Sequence, residues 1–128
     1  MVQGIQYESL PTMPKNVLII LGHSAQNSFG SAIAARYQTE AQSAGHSVQT
    51  IELAHLSFDP ILHQGYKGSQ ALEPGLQQAQ SQIKWANEIV LVFPIWWGGM
   101  PALLKGFLDR TLLPGFVLTQ WFLHRSGC

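Results

Sequence analysis

Three short apolar runs punctuate a chain that is otherwise amphipathic or polar. Asn16–Leu21 (NVLIIL) is continuous and rich in β-branched residues, the pattern of a strand buried on both faces. Ser47–Glu52 (SVQTIE) alternates and predicts a second strand. Residues 89–95 (IVLVFPI) form another continuous run and predict a third, buried strand. Between the runs the period changes to that of a helix. Ser28 reads as an N-cap, after which Phe29, Ile33, Tyr37, Ala41 and Ala44 share one face. Gly45 follows as the C′ residue. Leu76, Ala79, Ile83 and Ala86 mark a second helix over 75–85. Met100, Leu103, Leu104, Phe107, Leu108, Thr111 and Leu112 mark a third, stopped by Pro114 and Gly115.

Strands alternating with helices predict an α/β fold: a parallel sheet with helices on both faces, three layers in all. Right-handed crossovers fix the local topology. Only the first three strand–helix units are complete on this reading. Residues 1–14 read as an N-terminal tail, 15–116 as the domain and 117–128 as an atypical C-terminal tail. Within that tail, 117–122 is apolar enough for a partial fourth strand. Residues 53–74, rich in Gly and His, make a connection long enough to be functional or mobile.

Composition narrows the function. A chain of 128 residues, 46% apolar, makes one folded domain. Seven bases balance seven acids, so no basic stripe marks a nucleic-acid partner. Near-zero net charge removes the repulsion that opposes self-association. Cys128 is the single cysteine, so no disulfide forms within one chain, as in a reducing compartment. No basic-then-apolar leader opens the chain and no run reaches membrane-spanning length. A soluble cytoplasmic protein is expected.

Two loops carry the candidate chemistry. In open α/β sheets ligands bind at the carboxyl ends of the strands, where the strand order reverses. The first loop, GHSAQNSFG, follows the first strand and enters a helix N-terminus. Free backbone N–H groups and the helix dipole there suit a phosphate. Ser24, Asn27 and Ser28 add polar groups. His23 is either a phosphate donor or a histidine satisfied by loop backbone. Phe29 either covers a ligand or staples the helix to the sheet, core packing being the expected role. The loop has neither the lysine of a Walker sequence nor a dinucleotide fingerprint.

The second loop ends the third strand in FPIWWGGMP. Trp96 and Trp97 supply rigid apolar walls. Gly98 and Gly99 let backbone approach a flat ligand. Adjacent tryptophans cannot both face the core, so at least one reaches a cleft or partner. His55 and His63 flank Asp59 without zinc spacing and read as loop histidines. No G-x-S-x-G elbow occurs, and Cys128 has no activating setting.

NVLIILGHSAQNSFGSAIA followed by VLVFPIWWGGMPALLKGFLDR resembles the flavodoxin-like NAD(P)H:quinone oxidoreductases, the DT-diaphorase-like flavoproteins. The resemblance covers about residues 15–116, and its second block is the specific one. It implies a flavodoxin-like fold, FMN or FAD, and hydride passed from NAD(P)H to a quinone or similar acceptor. It places His23, Asn27, Ser28 and Phe29 on the phosphate side. It places Pro94, Ile95, Trp96, Trp97 and Gly98 beside the isoalloxazine ring. Gly30 stands where some relatives carry asparagine. The family's usual state, a homodimer with sites at the interface, is implied too. Relatives continue for two further strand–helix units that carry their acid–base candidates, so an inactive truncated paralogue is one alternative. Another is an ancillary subunit of a potassium-efflux system, with a membrane transporter as partner.

Overall fold

A computed structural model describes residues 13–116, and the tails assigned from sequence fall almost wholly outside them. Three strands, β1 (Asn16–Leu21), β2 (Ser47–Glu52) and β3 (Glu88–Val92), form one parallel sheet in the order β2-β1-β3. The helices are α1 (Phe29–Ser43), α2 (Pro74–Trp85) and α3 (Ala102–Thr111), with a single 3-10 turn at Leu53–His55. β1 lies in the middle because its residues tolerate burial on both sides. Val17, Ile19 and Leu21 join Ala34 of α1 on one face. Leu18 and Ile20 join Leu76, Leu104 and Phe107 of α2 and α3 on the other. Each such side chain contributes roughly 1.5–3 kcal/mol relative to exposure.

The helix ends follow the sequence signals. Ser28 Oγ accepts the Ser31 N–H at 3.1 Å, as an N-cap should. At the other end His46 N–H reaches the Ala41 carbonyl and Gly45 N–H the Gln42 carbonyl. That Schellman pattern needs a left-handed residue, and Gly45 supplies φ +93°. Pro74 opens α2 where its missing N–H does no harm.

Two expectations change. Phe29, expected to pack in the core, is 82% exposed, and Ile33 and Tyr37 on the same stripe are 45% and 37% exposed. Gly30, Ala34, Gln38 and Ala41 face the sheet instead. A Cβ on Gly30 would stand in ordinary van der Waals contact with Leu21 and Val92, 3.6 Å away, so this turn of α1 lies directly on the sheet. Gln38 accepts from the Thr50 hydroxyl. The third strand is shorter than the 89–95 run and is not buried on both faces. It ends at Val92, and Ile89 and Leu91 stay 45% and 39% exposed. β1 is its sole partner among the described residues, so one edge lacks a neighbour. Past it, Pro94 offers no N–H to continue pairing.

Residues 53–74 are strapped to α3. Arg110, fully buried, donates to the carbonyls of Asp59 and Ala71 and to the Glu73 carboxylate at 3.0 Å. Gly106, one turn earlier, lets Pro60 approach the helix backbone. A Cβ there would lie 2.4 Å from Pro60 Cβ and 2.5 Å from its carbonyl oxygen. Gly106→Ala is therefore expected to destabilise the fold by about 1–3 kcal/mol through overpacking, despite alanine's better helix propensity. A lowered urea midpoint with unchanged slope checks this; an unchanged or raised midpoint would show that the strap yields.

Candidate active site

The loops after β1 and β3 meet at the carboxyl edge of the sheet. Gly22 donates its N–H to the Val92 carbonyl at 2.8 Å, extending the β1–β3 contact into the loops. One residue on, the His23 ring stands edge-on to Trp96, centroids 5.5 Å apart. His23 Nδ1 accepts the Ala25 N–H at 2.8 Å, which leaves Nε2 as the donor nitrogen of the neutral ring. The two readings of His23 are thus compatible: one nitrogen is satisfied by loop backbone, and the other is a donor awaiting an acceptor.

Ser28 sets the start of α1. The N–H groups of Phe29 and Gly30 have no acceptor among the described residues, the ordinary state of a first helical turn. With the helix dipole they favour an anion. His23, Ser28, Phe29 and Pro94 line one cleft of about 270 Å³. Phe29, exposed rather than packed in the core, forms its rim. Val92 and Phe93 complete its apolar wall; only their place in an apolar run, and nothing in their residue type, could have marked them as cleft residues. Asn27 turns elsewhere. With φ +55° it lines a neighbouring recess of about 100 Å³, where Glu52, paired with His55 at 2.8 Å, brings a carboxylate.

Ile95, Trp96, Trp97 and Gly98 follow Pro94 in the chain, and none of them lines the cleft. Trp96 and Gly99 exchange backbone hydrogen bonds at 2.9 and 3.1 Å. Between them Trp97 and Gly98 both adopt positive φ, +52° and +76°, which makes a tight turn of the type I′ class. Gly98 suits that backbone; Trp97 does not. A bulky residue held there stores about 1–3 kcal/mol of strain, a mark of functional sites. Its ring is fully exposed, Ile95 is 75% exposed and Trp96 about half. No core packing accounts for these three side chains. A larger hollow of about 340 Å³ along β2, which includes Gly75 in the first turn of α2, touches neither loop and has no aromatic wall.

The connection after β2 holds a second polar cluster. His63 Nε2 lies 2.6 Å from Asp59 Oδ2, and Asp59 Oδ1 accepts the Ile61 N–H at 2.9 Å. The Ile61 bond first, then His63, holds the Asp59 carboxyl below its ordinary value of 3.8. Both side chains are substantially exposed, as expected of loop histidines and their partners. Among the described residues no group of three or more His, Cys, Asp or Glu side chains could hold a metal ion.

Two outcomes follow from these geometries. Trp97→Asn, which suits positive φ, should leave the fold as stable or more stable by up to about 1 kcal/mol; a destabilised variant would show that Trp97 serves folding. Because Asp59's folded pKa is depressed, its contribution is fully present above pH 3.8 and is lost as pH falls through the folded value. An NMR titration of the Asp59 carboxyl should therefore give a midpoint below 3.8 that rises toward it in Asp59's neighbour variant His63→Ala. A midpoint unmoved by that substitution would deny the pairing in solution.

The flavodoxin-like fold family matches residues 15–125. An uncharacterised NAD(P)H oxidoreductase of Haemophilus influenzae is 41% identical over 105 residues, 79% of this chain and 52% of that protein. NAD(P)H dehydrogenase (quinone) 1 of Cavia porcellus is 28% identical, matching 88% of this chain and 48% of its own length. Among solved structures, the Smu.1420 protein of Streptococcus mutans superposes with a TM-score of 0.65 at 33% identity, over 79% of this chain and 55% of that one. An NAD(P)H:quinone oxidoreductase of Methanothermobacter marburgensis gives 0.70 at 24% identity, over 80% and 56%, which bears on the fold alone. The chain spans about half the length of the curated relatives it matches. No helix among the described residues is long and apolar enough to cross a membrane. With three parallel strands in the order β2-β1-β3, a capped helix after the first and an aromatic turn after the third, the chain belongs to the flavodoxin-like fold family.

Proposed function

We propose that this chain is the flavin-binding part of an NAD(P)H oxidoreductase that passes hydride to a quinone or similar acceptor. The observation that carries the reading is the meeting of two unlike loops over adjacent strand ends. One offers unpaired N–H groups at a helix N-terminus, the other exposed tryptophans on a strained turn. A ligand with an anionic arm and a flat ring satisfies both. The phosphate-bearing flavin moiety common to FMN and FAD is such a ligand. Relatives named as NAD(P)H oxidoreductases and quinone dehydrogenases support the choice.

On this reading His23, Ser28 and the N–H groups of Phe29 and Gly30 hold the phosphate. Pro94, Ile95, Trp96, Trp97 and Gly98 wall the ring, with their backbone polar groups toward its edge. Asn27 stands one recess away and bears on the arm rather than the ring. The bound flavin supplies the hydride chemistry between NAD(P)H and acceptor; the protein supplies position, shielding and hydrogen bonds. A soluble cytoplasmic homodimer completes the reading, in keeping with a near-zero net charge.

Fluorescence titration of the purified chain with FMN and with FAD tests this without requiring turnover. Gly98→Val forces a β-branched residue to φ +76° with open space around it, so it should distort only the turn and weaken flavin binding about tenfold or more. Unaltered affinity with an intact circular dichroism spectrum would remove the turn from the site. Absence of flavin binding by the unaltered chain would count against the proposal for these residues.

A further inference from the structure

Two spaces beside the cleft abut the last residue of β2. The recess of about 100 Å³ has Asn27 and Ser31 on its α1 side, and the hollow of about 340 Å³ has Gly75 and Gln78 on its α2 side. Glu52 and His55 line both. Their pair at 2.8 Å is therefore the ridge on which the two spaces meet. The recess begins where the cleft stops, since Asn27 precedes Ser28 and Ser31 follows Gly30 in the first turn of α1. Cleft, recess and hollow thus follow one another from the end of β3, past β1, to the end of β2. That path is two strand spacings, or about 10 Å.

The hollow is also where β2 turns backbone groups away from the sheet. The Ser47 N–H bonds to the Lys15 carbonyl, and backbone direction alternates along a strand, so Thr50 and Glu52 face outward. No strand lies on that side among the described residues. Thr50 and Glu52 each turn an N–H and a C=O to this edge, and both line the hollow. Gln82 already donates to Gln49. Gln78, one turn earlier, makes no hydrogen bond among the described residues, and its amide both donates and accepts. Ile51 and Leu56 add an apolar floor. Neither space is lined by a lysine or arginine.

We propose that the recess and the hollow form a nucleoside subsite that takes the adenosine end of a dinucleotide. The chemistry is ordered along the path. Phosphate belongs at the start of α1, where the N–H groups are. The Glu52 carboxylate accepts from a ribose diol, as an acidic residue beyond the phosphate loop does in dinucleotide-binding sheets. Strand-edge groups and the Gln78 amide suit the polar edge of adenine. With no base to neutralise a further phosphate, the ribose must be unphosphorylated, because a 2′-phosphate would meet Glu52. FAD and NADH both carry this adenosine. If a flavin phosphate sits at α1, as proposed above, the arm that reaches Glu52 is that of FAD; this assignment rests on that reading.

Calorimetric titration of the chain with ADP, in the absence of flavin, tests the subsite. ADP should bind, and Glu52→Gln and Gln78→Ala, both at exposed positions, should each weaken it about fivefold or more with circular dichroism unchanged. Adenosine 2′,5′-bisphosphate should bind about tenfold less tightly than AMP. Arg36→Ala, on the outer face of α1, should change ADP binding less than about twofold. FMN and FAD then identify the source. Tighter binding of FAD than FMN, by a margin that Glu52→Gln removes, assigns the site to the flavin. Equal flavin affinities, with NADH bound by the FMN-loaded chain and weakened by Glu52→Gln, assign it to NADH. Absence of ADP binding, or ADP binding indifferent to both substitutions, would overturn the proposal. Because ADP is titrated without flavin, a failure of flavin binding leaves this result standing.

Discussion

Everything in this fold depends on β1 being buried from both faces at once. Five of its six residues are buried, and no other element is so enclosed. A strand of that kind must be central, must have partners on both edges and must have helices above and below. Those demands place β2 and β3 on either side of it and force α1 to the face opposite α2 and α3. The switch point between β1 and β3 then follows, because the chain leaves β1 in one direction and returns on its other side. The site is a by-product of this reversal: two loops leave adjacent strand ends and have nowhere to go but toward each other.

The architecture was legible because strands buried in the sheet and helices at its surface obey strict periods. β1, β2, the Ser28 cap and the Gly45 stop stand where the pattern puts them. The error at α1 has a plain cause. Periodicity shows that Phe29, Ile33 and Tyr37 share a face but not which surface that face meets. The sheet took the small face, Gly30 and Ala34, since close approach gains more contact than bulk does. The error at β3 has the opposite cause. A run of apolar residues looks the same whether its second face is covered or open.

The site was legible in part. The aromatic and glycine content of the second loop marked it, and its left-handed turn explains why both residue types stand together. The division of the first loop was not readable, because Asn27 and Ser28 are neighbours in sequence yet turn into different recesses. Nor was the role of Arg110. In the sequence it is one base at the end of a helix; in the fold it is buried and satisfied by groups from the long connection. Long-range partnership of that sort leaves no local trace.

The central place of β1 also governs how the chain acquires its structure. β1 precedes both of its partners in the chain, so it is made before them, and they are distant: Val17 pairs with Val48 on one side and with Glu88 on the other. The most apolar strand must therefore wait, with one edge open, until β3 has been synthesised. Non-local parallel pairing is slow to form because loop closure must precede its reward. During that interval NVLIIL is a segment that chaperones or other nascent chains can reach. The same burial that organises the finished sheet makes its assembly a race between closure and capture.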